Sequence, residues 1–545
     1  MTERAHATAM QIGQRVRHMP WRSLSLPTGV LCSGALMFAS APGVGQFPLL
    51  AFIAFAPWLW SLPQCPSREL SFAPLVALLS GIAMGLAYII PGHWSTFAIA
   101  IAAGYHGPHQ ALLTLLFFSV YAVPFVLFAL LDPCLRRFTG ASLERLALIR
   151  AALLASLICG CYAPFPYTPV SAIIDVLSIV QWASVGGEAL VLMFVLWPSA
   201  LLAGIAHARP KLLRSAGAML RLALGLSTIA VAGQLRIEQL DRNEVSGAGA
   251  RLAAMPLQLD FPLAAAPQML MRDRHGGGIS ALEITRTALK HAPHCEVVIW
   301  PETPIAAERS APVCAAGPRI AGSLGKPLLM QCFRPATGQN DGQNDGQSDG
   351  QTAGQKLLTA EFLVPGEAAQ FHGKSALVPM YEQPLFGASA LAPGLPGSVF
   401  VLDRQRTLIP ALCYELYSAT HFQSAVRAGG NFIVHMANFS AFDRHPIDIW
   451  DQGLARLRAI EYGMPIIRAS NRAPAGWIDA AGRVRSSTAR FGQQAQCLEV
   501  WSPSQGLTPA ARLGVLNPWL PTLLLAPMLF FLARQRAPSA GVTQH

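Results

Sequence analysis

At 545 residues, 52% hydrophobic and only 13% charged, with a mean hydropathy of +0.39, the chain is too apolar for an ordinary soluble enzyme and should be largely embedded in a membrane. The formal charge of +11 does not mark a nucleic-acid binder, because the basic residues of the first half fall in short clusters between apolar runs, as topology determinants do. No nucleic-acid partner is expected.

From the N-terminus, apolar stretches occupy residues 24–43, 47–62, 72–91, 110–131, 146–163, 187–206 and 216–234, and an eighth lies at 515–533. Several approach the roughly 20 residues that a helix needs to cross a bilayer, so eight spans are expected, the first an uncleaved helix. A shorter apolar segment at 95–104 reads as interfacial. Arg15, Arg17 and Arg22 precede the first span, Arg136, Arg137 and Arg145 separate the fourth from the fifth, and Arg209, Lys211 and Arg214 separate the sixth from the seventh. The alternate loops carry no Lys or Arg, which puts both termini in the cytoplasm and the long segment between the last two spans on the far side.

The expected organisation is a membrane domain at 1–235, an extracytoplasmic domain at 236–514 and a last span with its tail at 515–545. Within the middle unit, "PLQLDFPL", "CEVVIWPE", "KPLLMQCF", "LLTAEFLV", "SVFVLD", "LIPALCYE", "NFIVHMAN" and "MPIIRASN" read as strands. Several lack alternation, as in a sheet covered on both faces. "GISALEITRTALKHA" and "DIWDQGLARLRAIEYG" read as helices, the second with Leu454, Leu457 and Ile460 on one face. Strands alternating with helices make an α/β layered domain. The GQxDGQ repeat at 337–355 has no apolar anchors and reads as a disordered insertion.

The ten cysteines include no CxxC pair and no His/Cys grouping with zinc spacing, so neither a metal nor another cofactor is expected. Cys295, Cys314, Cys332, Cys413 and Cys497 form an odd set, and pairing on an oxidising face leaves at least one thiol free.

Three polar positions end or follow apolar runs. "VVIWPETPI" presents Glu302, "FHGKSALVPMYEQPLFG" presents Lys374 and Glu382, and "IPALCYELYS" presents Cys413 with Tyr414 and Glu415. A thiol nucleophile needs a base to ionise it and a cation to hold the oxyanion formed when it attacks a carbonyl; Glu, Lys and Cys fill those roles.

With these motifs the chain resembles the nitrilase superfamily, and more specifically its membrane-embedded branch, the apolipoprotein N-acyltransferases. "IWPET", "K...LVP..E", "CYE", "RLRAIEYGMPIIRASN" and "GLTPAARLG" carry the resemblance. It implies an α-β-β-α sandwich between the last two of about eight spans. It assigns Glu302 as base, Lys374 as oxyanion donor and Cys413 as nucleophile, with Glu382, Tyr414 and Glu415 in support. The implied activity is a ping-pong N-acyl transfer at the bacterial inner membrane, from a phospholipid donor through a cysteine thioester to a diacylglyceryl-lipoprotein amine. The segment "ANFSAFDRHPIDIWDQG" keeps Asn438 but departs from the family pattern around the substrate pockets. The alternatives are a TraB-type conjugal transfer protein of the same fold and a membrane-tethered carbon–nitrogen hydrolase using water as acceptor.

Overall fold

The computed structural model describes residues 20–45, 47–62, 73–93, 104–139, 142–208, 212–263, 270, 280–305, 307–336, 354–384, 389–442, 447–504 and 506–534. The repeat at 337–355, but for its last two residues, and the apolar segment at 95–104, but for Gly104, lie outside them.

The apolar part is built from α1 (Pro20–Ser40), α2 (Ala73–His93), α3 (Pro108–Thr139), α4 (Leu143–Gly160), α5 (Ala183–Ala208) and α6 (Leu212–Val245). Among the described residues three helical segments are long and apolar enough to cross a membrane: Pro108–Arg136, Ala183–Ala208 and Leu213–Val245. The expected bundle of about eight spans is therefore corrected to three long apolar helices in a membrane-associated chain. The stretch at 47–62 breaks into a 3₁₀ turn, Pro48–Phe52, and a short helix, Ala56–Ser61. Helix α4 has only 18 residues and turns its small side chains, such as Ala151 and Ala155, into the core. It also carries Arg150, fully enclosed and ion-paired with Asp132 at 2.7 Å. A buried helix and a membrane span present the same apolar composition, so the sequence could not separate them.

Among the described residues thirteen strands follow: β1 (Gly249–Leu259), β2 (Val297–Ile299), β3 (Leu328–Pro335), β4 (Lys356–Leu363), β5 (Gln370–Gly373), β6 (Phe400–Val401), β7 (Thr407–Leu412), β8 (Phe432–Asn438), β9 (Ile466–Asn471), β10 (Gly476–Ile478), β11 (Val484–Ser487), β12 (Gln494–Ala495) and β13 (Leu498–Pro503). Nine of them form one path, β5-β4-β3-β2-β1-β9-β8-β7-β6. This corrects the expected sandwich of two separate sheets. Strand β1 is long enough to serve both halves, pairing in parallel with β2 through Ala254–Pro256 and with β9 through Gln258 and Leu259. The path curls into a nearly closed nine-stranded barrel. At its open seam the Gln370 amide of β5 holds both backbone groups of Val401 in β6, at 3.1 and 2.9 Å.

Leu252, Ile299, Leu329, Phe362, Val434 and Ile467 fill the interior, and Phe362 stacks on Phe400 at 5.6 Å. Each such side chain taken fully out of water contributes roughly 1.5–3 kcal/mol. Helices α7 (Ala281–His291) and α8 (Ala307–Leu324) cover the outside of the β1–β3 half. Helices α9 (Ala419–Arg427) and α10 (Ile447–Tyr462) cover the β7–β9 half. Helix α10 is buried on two sides: Ala455, Ala459 and Tyr462 face the strands, while Leu457 and Ile460 join the core of the membrane helices. The last helix, α11 (Leu520–Arg534), packs on α4 and α5. Disulfides join Cys295 to Cys497 and Cys314 to Cys332, leaving Cys413 as a free thiol.

Candidate active-site cleft

Strand ends gather the polar residues. Glu302 follows β2 by three residues, Lys374 comes directly after β5, and Cys413 directly after β7. Lys374 is wholly buried, its Nζ 2.7 Å from Glu382 and 3.5 Å from Glu302. The second oxygen of Glu382 accepts from the Val378 amide at 2.7 Å. Glu302 Oε2 is buried with no hydrogen-bond partner. Cys413 adopts φ +45°, a left-handed conformation rare outside glycine, and its carbonyl lies 3.2 Å from His435 Nε2. Glu302, Glu382 and Cys413 line a cleft of roughly 740 Å³, walled by Phe165, Tyr381, Tyr414, Tyr417 and Phe439.

Burial pushes the Glu302 carboxyl up to about 7, against the pull of Lys374 and the Cys413 thiol. Burial likewise opposes the charge of Lys374, but Glu302 and Glu382 outweigh it and hold the ammonium above the usual lysine value. The Cys413 thiol is driven well above its ordinary value by burial and then by the Glu302 charge. The resting state is thus a neutral thiol beside a carboxyl that titrates near neutrality and an ammonium that keeps its proton.

A second buried group is drawn together as well. Ligand atoms of His372, Glu415 and His421 lie within 4.8 Å of one another, all three residues buried. Glu415 Oε1 accepts from Ser375 N and Oγ, each at 2.6 Å, and from His372 Nε2 at 2.9 Å; Oε2 accepts from Leu412 N at 2.8 Å. His421 Nε2 is 2.7 Å from Pro410 O, while Nδ1 accepts from Gly397 N at 3.3 Å. Burial would raise Glu415, but the two histidines overcome it and hold the carboxyl far below the usual range. With both Glu415 oxygens and both His421 nitrogens already engaged, the donor set does not suit a metal ion; it forms a hydrogen-bonded knot.

The expected ping-pong N-acyl transfer, with a Glu-Lys-Cys triad as the compact cluster of the site, is corrected on these findings. Among the described residues the compact cluster is His-His-Glu and contains no cysteine, and only three helices are long and apolar enough to cross a membrane. His372 and His421 stand 49 positions apart and share no local pattern in the sequence, which singles out Glu415 without these partners. Tyr414 Oη donates to Pro164 O, and the Tyr414 ring meets Phe165 edge-on at 5.4 Å, so the cysteine turn rests on a loop from the apolar part. Asn438 accepts from Asn471 Nδ2 at 2.8 Å and from Ser440 N at 3.1 Å, fixing the turn that presents Phe439.

No protein-family model matches the chain. Over 139 residues it is 28% identical to the apolipoprotein N-acyltransferase of Haemophilus influenzae, covering 25% of this chain and 26% of that protein. It is 31% identical over 107 residues to the Vibrio vulnificus protein of the same name, 20% of this chain and 21% of that one. The Allorhizobium ampelinum counterpart is 36% identical over 100 residues, 18% of this chain and 17% of that one. The chain spans about a quarter of the length of the curated relatives it matches. Among solved structures, a cysteine-to-serine variant of the Nesterenkonia AN1 amidase, from the nitrilase superfamily, aligns with 49% of this chain and 94% of its own at 17% identity and a TM-score of 0.35. Over part of its length the chain is thus similar to apolipoprotein N-acyltransferases.

Proposed function

We propose that the protein is a membrane-tethered carbon–nitrogen hydrolase whose chemistry takes place in the cleft beside Cys413. The observation that carries this reading is the fully buried Lys374, held 2.7 Å from Glu382 and 3.5 Å from Glu302. A buried ammonium between two carboxylates, next to a thiol in a cleft, is costly to maintain and is suited to anion stabilisation. In the proposed reaction Glu302 takes the Cys413 proton and the sulfur attacks the amide carbonyl carbon. Lys374 stabilises the oxyanion, and the C–N bond breaks as Glu302 returns the proton to the leaving amine. Water then attacks the thioester, giving its proton to Glu302; the carboxylic acid departs and the thiol is restored. Glu382 positions Lys374, while Tyr414 and Glu415 hold the turn.

We place the catalytic domain on the outer face of a bacterial inner membrane. The two disulfides support that side, since such bonds persist in oxidising compartments. The test is release of ammonia or amine from simple amides and nitriles by the full chain in detergent, without added phospholipid. Loss of release in Cys413→Ala and in Glu302→Gln is expected. Release that persists in Cys413→Ala, or that requires phospholipid, overturns the proposal.

A further inference from the structure

A second cavity lies on the other side of Tyr417, where the middle of α3 and the ends of α4 and α5 meet α10 and the 3₁₀ segment Gly514–Trp519. It offers roughly 180 Å³ of space, more than a single water needs. Tyr88, Tyr121, Ile158, Val515 and Pro518 give it apolar walls. Its polar end holds Glu188, Arg458, Glu461 and Asn517.

Arg458 is over nine-tenths buried, and its Nε donates to Leu416 O at 3.1 Å and its Nη1 to Glu461 Oε2. Asn517, also over nine-tenths buried, donates through Nδ2 to Glu461 Oε1 at 3.1 Å and to Ala510 O at 3.0 Å. Its Oδ1 accepts from no group among the described residues. Glu188 takes one hydroxyl, from Thr168, and faces the charges of Arg458 and Glu461. The group therefore has one carboxylate more than its guanidinium balances, together with an orphan carbonyl oxygen. Backbone is shaped around it: Gly187 has φ +63°, and a Cβ there would come within 2.9 Å of the Asn517 side chain. A glycine is what lets α5 and Asn517 approach.

We propose that this cavity binds an amphiphile whose head is a primary ammonium, the N–H groups meeting Glu188 and Asn517 Oδ1 and the apolar body lying along the tyrosine wall. A quaternary head lacks the donors and an alcohol lacks the charge, so both should bind more weakly. The site is separate from the catalytic cleft and does not depend on the hydrolase reading. The free thiol of Cys161 lines the cavity and serves as its reporter, while Cys413 reports on the cleft.

The experiment alkylates the full chain in detergent with N-ethylmaleimide and follows Cys161 and Cys413 by peptide mass spectrometry, with dodecylammonium, dodecyltrimethylammonium or dodecanol present. At ten times its dissociation constant, dodecylammonium should slow labelling of Cys161 by about tenfold, leave Cys413 unchanged, and outdo the other two probes. In Glu188→Gln the protection should fall. Equal protection by all three probes, none by dodecylammonium, or protection confined to Cys413 overturns the proposal. The probe comparison needs no variant, so it stands even where a substitution impairs folding.

Discussion

Glu415 Oε1 accepts from the backbone amide of Ser375 at 2.6 Å, tying the residue after Lys374 to the turn that begins at Cys413. Its other oxygen takes the Leu412 amide at 2.8 Å, so one carboxylate fixes the lysine loop and the cysteine turn against each other. Replacement by Gln puts an NH₂ where an acceptor is required. Glu415→Gln should cost about 3 kcal/mol, the range for breaking a buried charged network. It should also depress hydrolysis without altering side chains that touch substrate. Thermal unfolding and amide turnover measured on one preparation check both. Because the folded carboxyl titrates below its unfolded value of about 4.3, its stabilisation is present above that pH and is lost only as pH falls through the lower folded value.

Glu302 shows the opposite sign. Burial raises its carboxyl to about 7, so its relative contribution to stability is full below the unfolded value and is lost as pH rises through about 7. The base form must accept the thiol proton, so kcat/KM should climb about tenfold per pH unit below that value and level off above it. Glu302→Gln should remove both the activity and the difference in unfolding between pH 5 and pH 8. A pH–rate profile whose rise falls far from neutrality speaks against Glu302 as the base.

Lys374→Met should leave Glu302 and Glu382 facing each other without their shared cation. The expected loss is about 3–5 kcal/mol of stability and a fall in turnover of 100-fold or more. Adding Glu382→Gln should restore part of the stability and none of the turnover. That split between denaturation midpoint and rate separates charge balance from chemistry.

Cys295 and Cys497 are 202 positions apart, and their bond joins the start of β2 to the strand that lines β1. Cys497→Ser should lower the unfolding temperature by an amount equivalent to about 2–5 kcal/mol. Mass mapping of the unreduced protein should show Cys295, Cys314, Cys332 and Cys497 blocked and Cys413 open to alkylation.

Gly187→Ala meets a left-handed backbone and the Asn517 side chain together. A cost of about 1–3 kcal/mol is expected, read as a lowered unfolding temperature of the detergent-solubilised chain.

Eight strands, β1–β4 and β6–β9, were legible because each is a short apolar, β-branched or aromatic run closed by a turn, whereas β5 and β10–β13 did not stand out. "NFIVHMAN" and "MPIIRASN" correspond to β8 and β9, and "DIWDQGLARLRAIEYG" to α10. Helix α8 escaped notice because Pro312 and Pro318 lie inside it, where proline ordinarily argues against a helix. Glu302, Lys374 and Cys413 stand out in the chain as chemistry-bearing residues at the ends of apolar runs. The knot around Glu415 has no such mark: His372 and His421 sit on elements that only tertiary folding brings together. The count of spans was over-read for a third reason, since hydropathy reports removal from water and does not distinguish lipid from protein as the new surroundings.

The seam closed by Gln370 has a consequence for the life of the chain before and after folding. Neighbouring strand edges with bare N–H and C=O groups invite pairing with another molecule, and here one amide side chain occupies both groups of Val401. A single side chain thereby satisfies both groups, and the folded chain has one fewer bare edge position at which another copy could pair.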